Sequence, residues 1–294
     1  MMTKHRIATF FVFAAAIPAL PALSIAGANA KESKEIQSVV EKAKESWISG
    51  DIGVDVYSQY VFHGLTLENQ GAIIQPYADW VFKLYQGDGF LNSATLNLSV
   101  WNSFQDHHTV VSSTRSWYEF DFYAGMSFTF AKHFTFTPTY LAYTSPGDYF
   151  STVHNLGLRL ALDDKDWLGP FALQPYVYVE FELDGKSGNG VSEGIYYEAG
   201  IAPSYLIGNL GIALPVKAGF GSNEYYAANA GFGFVSAGVS ASYALTAIPS
   251  KWGAWSITAA ATYLHYGDPN ADANTIKGAG RDDLVFNGGM RVAF

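Results

Sequence analysis

Cysteine is absent from all 294 residues, which excludes disulfide frameworks and thiolate metal sites. Charged residues are scarce at 15 %, and acids outnumber bases to give a formal net charge of −9. Nucleic-acid binding needs a basic footprint, so that class is excluded. A membrane-spanning helix is also missing beyond residue 30. The span from Tyr225 to Ser250 carries no charge but contains Gly231, Gly233, Ser236, Gly238, Ser240 and Ser242, too polar for an apolar 20-mer. It alternates instead, with Val235, Ala237, Val239, Ala241 and Tyr243 on one side, as a strand does. Aromatic residues are abundant by contrast, at 16 %, a composition suited to a membrane interface.

The first residues read as an export leader. Lys4, His5 and Arg6 precede an apolar stretch from Ile7 to Leu23, and Ala28-Asn29-Ala30 supplies a small-x-small cleavage pattern. Residues 1–30 are therefore expected to be a signal peptide, and its removal leaves the rest more acidic. Residues 31–50 follow as an amphipathic helix, with Ile36, Val39, Val40, Ala43, Trp47 and Ile48 at helical spacing. It could lie in the periplasm, plug a lumen or contact a periplasmic partner.

From residue 51 to 294 the hydrophobic period is two. The last segment sets Leu284, Phe286, Gly288, Met290, Val292 and Phe294 against Val285, Asn287, Gly289, Arg291 and Ala293. One lipid-facing side and one polar side is the pattern of a transmembrane barrel strand. This closing strand resembles the terminal strand of bacterial outer-membrane β-barrels, which implies the barrel-assembly machinery and outer-membrane lipid as partners. About twelve such segments of barrel-strand length recur. In 117–129, Tyr118, Phe120, Phe122, Ala124, Met126 and Phe128 oppose Glu119, Asp121, Tyr123 and Ser127. Lipid cannot satisfy an open sheet edge, so the expected fold is all-β: a closed antiparallel barrel of about 12 strands.

The connections alternate in length. Ala131-Lys132 and Gly208-Asn209 read as tight periplasmic turns. The stretches 63–72, 103–115, 184–192, 221–229 and 267–282 read as longer outer loops. Near the start, Ser58-Gln59-Tyr60-Val61-Phe62-His63-Gly64, followed by Gln75-Pro76, is similar to a Ser-x-Tyr-Val-Phe-Arg-Gly pattern. That pattern opens a family of uncharacterised proteobacterial outer-membrane proteins. His63 stands where the family usually has Arg. The resemblance implies a secreted barrel and no established activity.

Assigning faces by alternation places Asp55, Asp79, Glu119, Asp121, Glu180, Glu182 and Glu198 in the lumen. Lys83, Arg159, Lys217 and Arg291 join them, with Tyr57, Tyr77, Tyr123, Tyr176 and Tyr178 as hydroxyl-tipped surface. Such a lining would favour cations if water-filled, whereas pairing of these charges across a narrow lumen would help close it. Twelve strands lie between a filled small barrel and an open porin. Tyr60, Phe62, Trp117, Trp255 and Phe294 are expected in interface girdles. The inward tyrosines could also stack sugars.

Catalysis and metals find little support. A nucleophilic Ser needs a His in reach, and only His154 with Ser151 or Thr152 approximates this. Asp106-His107-His108 and Asp163-Asp164-Lys165-Asp166 lack full ligand sets and read as solvated loops. No cofactor is expected. The sequence therefore points to an outer-membrane pore for small hydrophilic solutes; the alternatives are a closed barrel binding a surface partner, or an outer-membrane lipid enzyme.

Overall fold

In the computed structural model, residues 46–108, 115–227, 231–275, 278 and 280–294 are described. The expected signal peptide, and residues 31–45 of the expected amphipathic helix, lie outside them. Strand structure already begins at Ile48. Ser49 is buried while Ile48 is exposed, so period two replaces the helical period that Trp47 and Ile48 suggested.

Twelve antiparallel barrel strands follow. They are β1 Ile48–Tyr57, β2 Ile73–Gln86, β3 Leu91–Gln105, β4 Trp117–Phe130, β5 Phe134–Thr144, β6 Val153–Leu162 and β7 Tyr176–Asp184. Then come β8 (Ile195–Ile201 and Ser204–Ile207), β9 (Leu210–Ala213 and Val216–Gly221), β10 Gly231–Ala244, β11 Ala254–Tyr266 and β12 Asp282–Ala293. The breaks in β8 and β9 fall at Pro203 and Pro215, which have no N–H for the ladder. Leu214 N–H bonds Pro203 O across the gap at 2.9 Å.

Closure is made by β12 on β1, from Asp51 opposite Ala293 to Tyr57 opposite Asn287. Phe294 adds reciprocal backbone bonds to Gly50 at 2.9 and 3.0 Å. With the edge removed, the strands pair around a closed wall, the condition for crossing lipid. The outward positions of β12, namely Leu284, Phe286, Met290 and Phe294, are exposed, and so are Ile52, Val54 and Val56 of β1. This apolar belt encircles the barrel and ends, on the side of the termini, in Phe90, Trp252 and Phe294.

The start of β1 and the end of β12 lie at one end, here the terminal end, so connections alternate between it and the far end. Terminal-end connections are short except 245–253 and 163–175, and in the latter Asp164 is buried and accepts the N–H groups of Leu173 and Gln174 at 3.0 and 2.9 Å. The acidic run there is a folded loop built around Asp164, not a solvated turn. At 131–133 the turn sets Ala131 and Lys132 at φ +48° and +66°, which costs L-residues about 1–2 kcal/mol each. Ala131→Gly is expected to raise the unfolding free energy by about 1 kcal/mol, net of glycine's added unfolded entropy. Urea titration of the folded band on a heat-shift gel would detect it.

Candidate functional site: the barrel interior

Inward side chains divide the interior into two unlike walls. Strands β10 and β11 present small groups, Ser236, Ser240, Ser242, Ser256, Thr258, Ala260 and Thr262, with the larger Phe234, Leu264 and Tyr266 only toward the far end. Strands β1–β8 present acids and rings. Large lumen rings fit because glycines face them: a Cβ on Gly53 would fall 2.5 Å from the Tyr77 ring, and one on Gly157 2.5 Å from Tyr178 Oη.

Asp55, Tyr57 and Asp79 are buried on the interior face of β1 and β2. Asp51, which the alternation argument passed over, joins them; it sits opposite Asp79 across the β1–β2 ladder. Arg291 is opposite Gly53 on the same face and bonds Ser256 Oγ at 3.4 Å. Lys83 stands apart, half-buried near the terminal end of β2, opposite Thr95.

On β4, Glu119 and Asp121 are buried; Tyr60 donates to Glu119 at 2.8 Å and Tyr123 to Asp121 at 2.7 Å. On β7, Glu180 accepts from Tyr143 at 3.1 Å and Asn155 at 2.6 Å, and also from Tyr178. Glu198 of β8 accepts from Tyr176 at 2.6 Å, Tyr196 at 2.7 Å and Lys217 at 2.9 Å. The Arg159 guanidinium lies 4.3 Å over the Tyr176 ring. Tyrosine hydroxyls thus spread the carboxylate charge, as buried acids require. Glu182 differs: it bonds the N–H groups of Ser187, Gly188 (2.8 Å) and Gly194 (2.6 Å), holding the 185–194 connection in place.

Two aromatic assignments are corrected. Tyr60 and Phe62, expected at the lipid interface, are 2 % and 4 % exposed and lie inside the barrel. The wall strand stops at Tyr57, and the chain turns inward as a separate two-stranded hairpin, Tyr60–Phe62 with Leu65–Glu68. Alternation continues through residue 62, so the turn left no mark on the pattern. Trp117 is outward and stacks on Phe104 at 5.6 Å. Trp255 is half-buried, with its indole N–H on Trp252 O at 3.0 Å, and Phe294 is exposed. Tyr118 also departs from its expected outward face. The ladder skips it, pairing Ser103 with Glu119 and Phe104 with Trp117, and this bulge turns its ring toward Tyr60 at 6.3 Å.

The hairpin tip carries His63 at φ +48° and Gly64 at φ +80°. The His63 imidazole stacks on Tyr196 with centroids 3.7 Å apart and on Phe62 at 3.9 Å. Its Nδ1 meets Tyr225 Oη at 2.5 Å, while Glu180 is 4.0 Å from Nε2. Burial holds this imidazole far below its ordinary range, to about 3, against the pull of Glu198 and with the help of Lys217. Over the tip lies a far-end helix, Asp268–Thr275. Asn270 donates to His63 O at 3.2 Å and Asn274 to Gly64 O at 3.0 Å. Asp268-Pro269 is the one local start signal of this helix, while the contacts of Asn270 and Asn274 are long-range and could not be read from the sequence.

The candidate catalytic and metal groups are engaged elsewhere. His154 Nδ1 meets Tyr140 Oη at 2.6 Å, and His108 Nε2 meets Arg115 O and Tyr149 Oη, both at 2.7 Å. Asp106 accepts the Ala72 N–H at 2.7 Å.

No protein-family model matches the sequence, and no curated protein matches it. Among solved structures, the chain is similar to an outer membrane channel from Pseudomonas putida F1, with a TM-score of 0.53 at 12 % identity, over 84 % of this chain and 96 % of that one. It also aligns with the NanC porin at a TM-score of 0.45 and 11 % identity, over 83 % and 98 % of the two chains. At such identities the likeness is one of fold: a closed antiparallel barrel with an apolar outer belt, the architecture of outer-membrane channels.

Proposed function

We propose that this chain is an outer-membrane channel passing small hydrophilic solutes, with a preference for cations. The observation that carries the reading is the interior of a closed, lipid-faced barrel in which acids outnumber bases among the described residues. A polar lumen lowers the cost of crossing for a hydrated solute, and its net negative charge concentrates cations. On this reading the leader exports the chain, the terminal strand engages the barrel-assembly machinery, and both termini face the periplasm. The resemblance at Ser58–Gly64 belongs to the same proposal.

Asp51 and Asp79 are the acids to test. Glu182 braces a connection and Glu180 is wrapped by hydroxyls and an amide, so neutralising those would change structure as well as charge. Asp51→Asn with Asp79→Asn is expected to lower the cation-to-anion permeability ratio several-fold, read as reversal potential in a planar bilayer under a salt gradient. An unchanged reversal potential in an open channel would reject the electrostatic account.

A second reading, a closed barrel presenting its far-end connections to a surface partner, is favoured by the hairpin that fills the far half of the lumen. Correctly folded protein that never conducts would support it.

A further inference from the structure

We propose that residues 58–72 form a movable gate, closing the lumen when docked and opening it when the hairpin swings off the wall. The inference rests on the channel reading and adds the part of the molecule that controls it.

The hairpin crosses the lumen. At its base, the Tyr60 ring packs 5.4 Å from Trp101 of β3, and its hydroxyl reaches Glu119 of β4. In the middle, Phe62 meets Tyr143 of β5 edge-on at 5.5 Å. At the tip, His63 stacks on Tyr196 of β8. The bar thus reaches across the lumen from β3 to β8.

The bar is built to move as a unit. Its two strands pair only with each other and form a sheet separate from the barrel ladder. Both ends are pinned at the wall. Ser58 exchanges bonds with Phe286, N–H to O at 2.8 Å and N–H to Oγ at 2.9 Å, while Ala72 is held by Asp106. Between the pins, attachments to the barrel include side-chain bonds: Tyr60 to Glu119, Gln59 to Asp283 at 2.7 Å, and Tyr226 Oη to His63 O at 2.6 Å. Asn274 accepts the Thr66 N–H at 2.8 Å and donates to Gly64 O, and Asn270 and Tyr225 hold the His63 O and Nδ1. Side-chain bonds of this kind exchange with water one by one, whereas a ladder opens only cooperatively. The motif Ser58–Gly64 is explained by the same geometry: it supplies the pin, the two rings and the left-handed tip.

The absence of cysteine allows a direct test. Thr66→Cys with Asn274→Cys introduces the only two thiols, on two residues that the Thr66 N–H to Asn274 Oδ1 bond now joins. In planar bilayers the oxidised protein is expected to lose most of its conductance and regain it on reduction, with the disulfide verified by mass spectrometry. Replacing 60–68 by a short Gly-Ser linker is expected to raise conductance several-fold and abolish closures, with folding verified by heat-shifted mobility. A verified disulfide without effect on conductance, or a linker variant that conducts no better than the parent, would overturn the gate. A folded linker variant that is silent would instead overturn the channel reading beneath it.

Discussion

Gly64→Val is expected to leave the channel open at neutral pH, with the hairpin undocked and the barrel intact. Gly64 has φ +80°, a region that costs an ordinary residue about 1–2 kcal/mol and a β-branched one more. A Cβ there would also lie 2.5 Å from Asn270 Nδ2 and from Phe234 Cδ1. Phe234 is 2 % exposed and cannot retreat far, while moving Asn270 would sacrifice its bond to His63 O. Overpacking of that kind costs about 1–3 kcal/mol. The two penalties together are about 2–5 kcal/mol, and they fall on the docked state alone. Only the Phe234 side chain belongs to a ladder strand, and its backbone pairing is not part of the clash, so the heat-shifted gel band should persist. Conductance matching that of the linker variant, together with new protease cleavage near Tyr60–Phe62, is the expected result. Parent-like closure would mean that the tip tolerates a side chain and does not seat as described.

Acidification is expected to open the same gate. The undocked hairpin exposes an ordinary histidine, which protonates near 6.5, whereas docked His63 resists protonation until about 3. Below 6.5 the undocked state therefore binds more protons at His63, and the contribution of His63 to docking weakens as pH falls through that window. At pH 5 the loss is about 2 kcal/mol, about a 30-fold change in the docking equilibrium. The groups facing the ring are Glu180 from β7, Glu198 and Tyr196 from β8, Lys217 from β9, and Tyr225 from the β9–β10 connection. The carboxylates attract a proton and Lys217 repels it, but removal from water outweighs both. Open probability measured from pH 7.5 to 4.5 should rise on the acid side, and His63→Gln should flatten that slope. A flat profile in the parent would show that His63 does not control docking.

Much of the wall was legible because a barrel strand is governed by local alternation. Lipid on one side and a polar interior on the other force period two. The faces of β1, β4 and β12 could therefore be read from Ile52, Phe122 and Met290 against Asp55, Asp121 and Arg291. Gly208-Asn209 likewise carried its turn chemistry in its own two residues, with Gly208 at φ +61°. Tyr60 and Phe62 show where this stops. They continue the alternation of β1, yet they pack on Trp101, Glu119 and Tyr143, residues distant in sequence. Tyr118 departs from its face because the ladder skips one position, which depends on two strands at once.

The sequence by itself determined that this chain closes an antiparallel wall with an apolar outside, because that requirement acts residue by residue along each strand. Only the tertiary structure decided that the Ser58–Gly64 segment leaves the wall, bars the lumen and is held there by Asn270, Asn274 and Tyr226. Those contacts join segments up to 210 residues apart, and no local period encodes them.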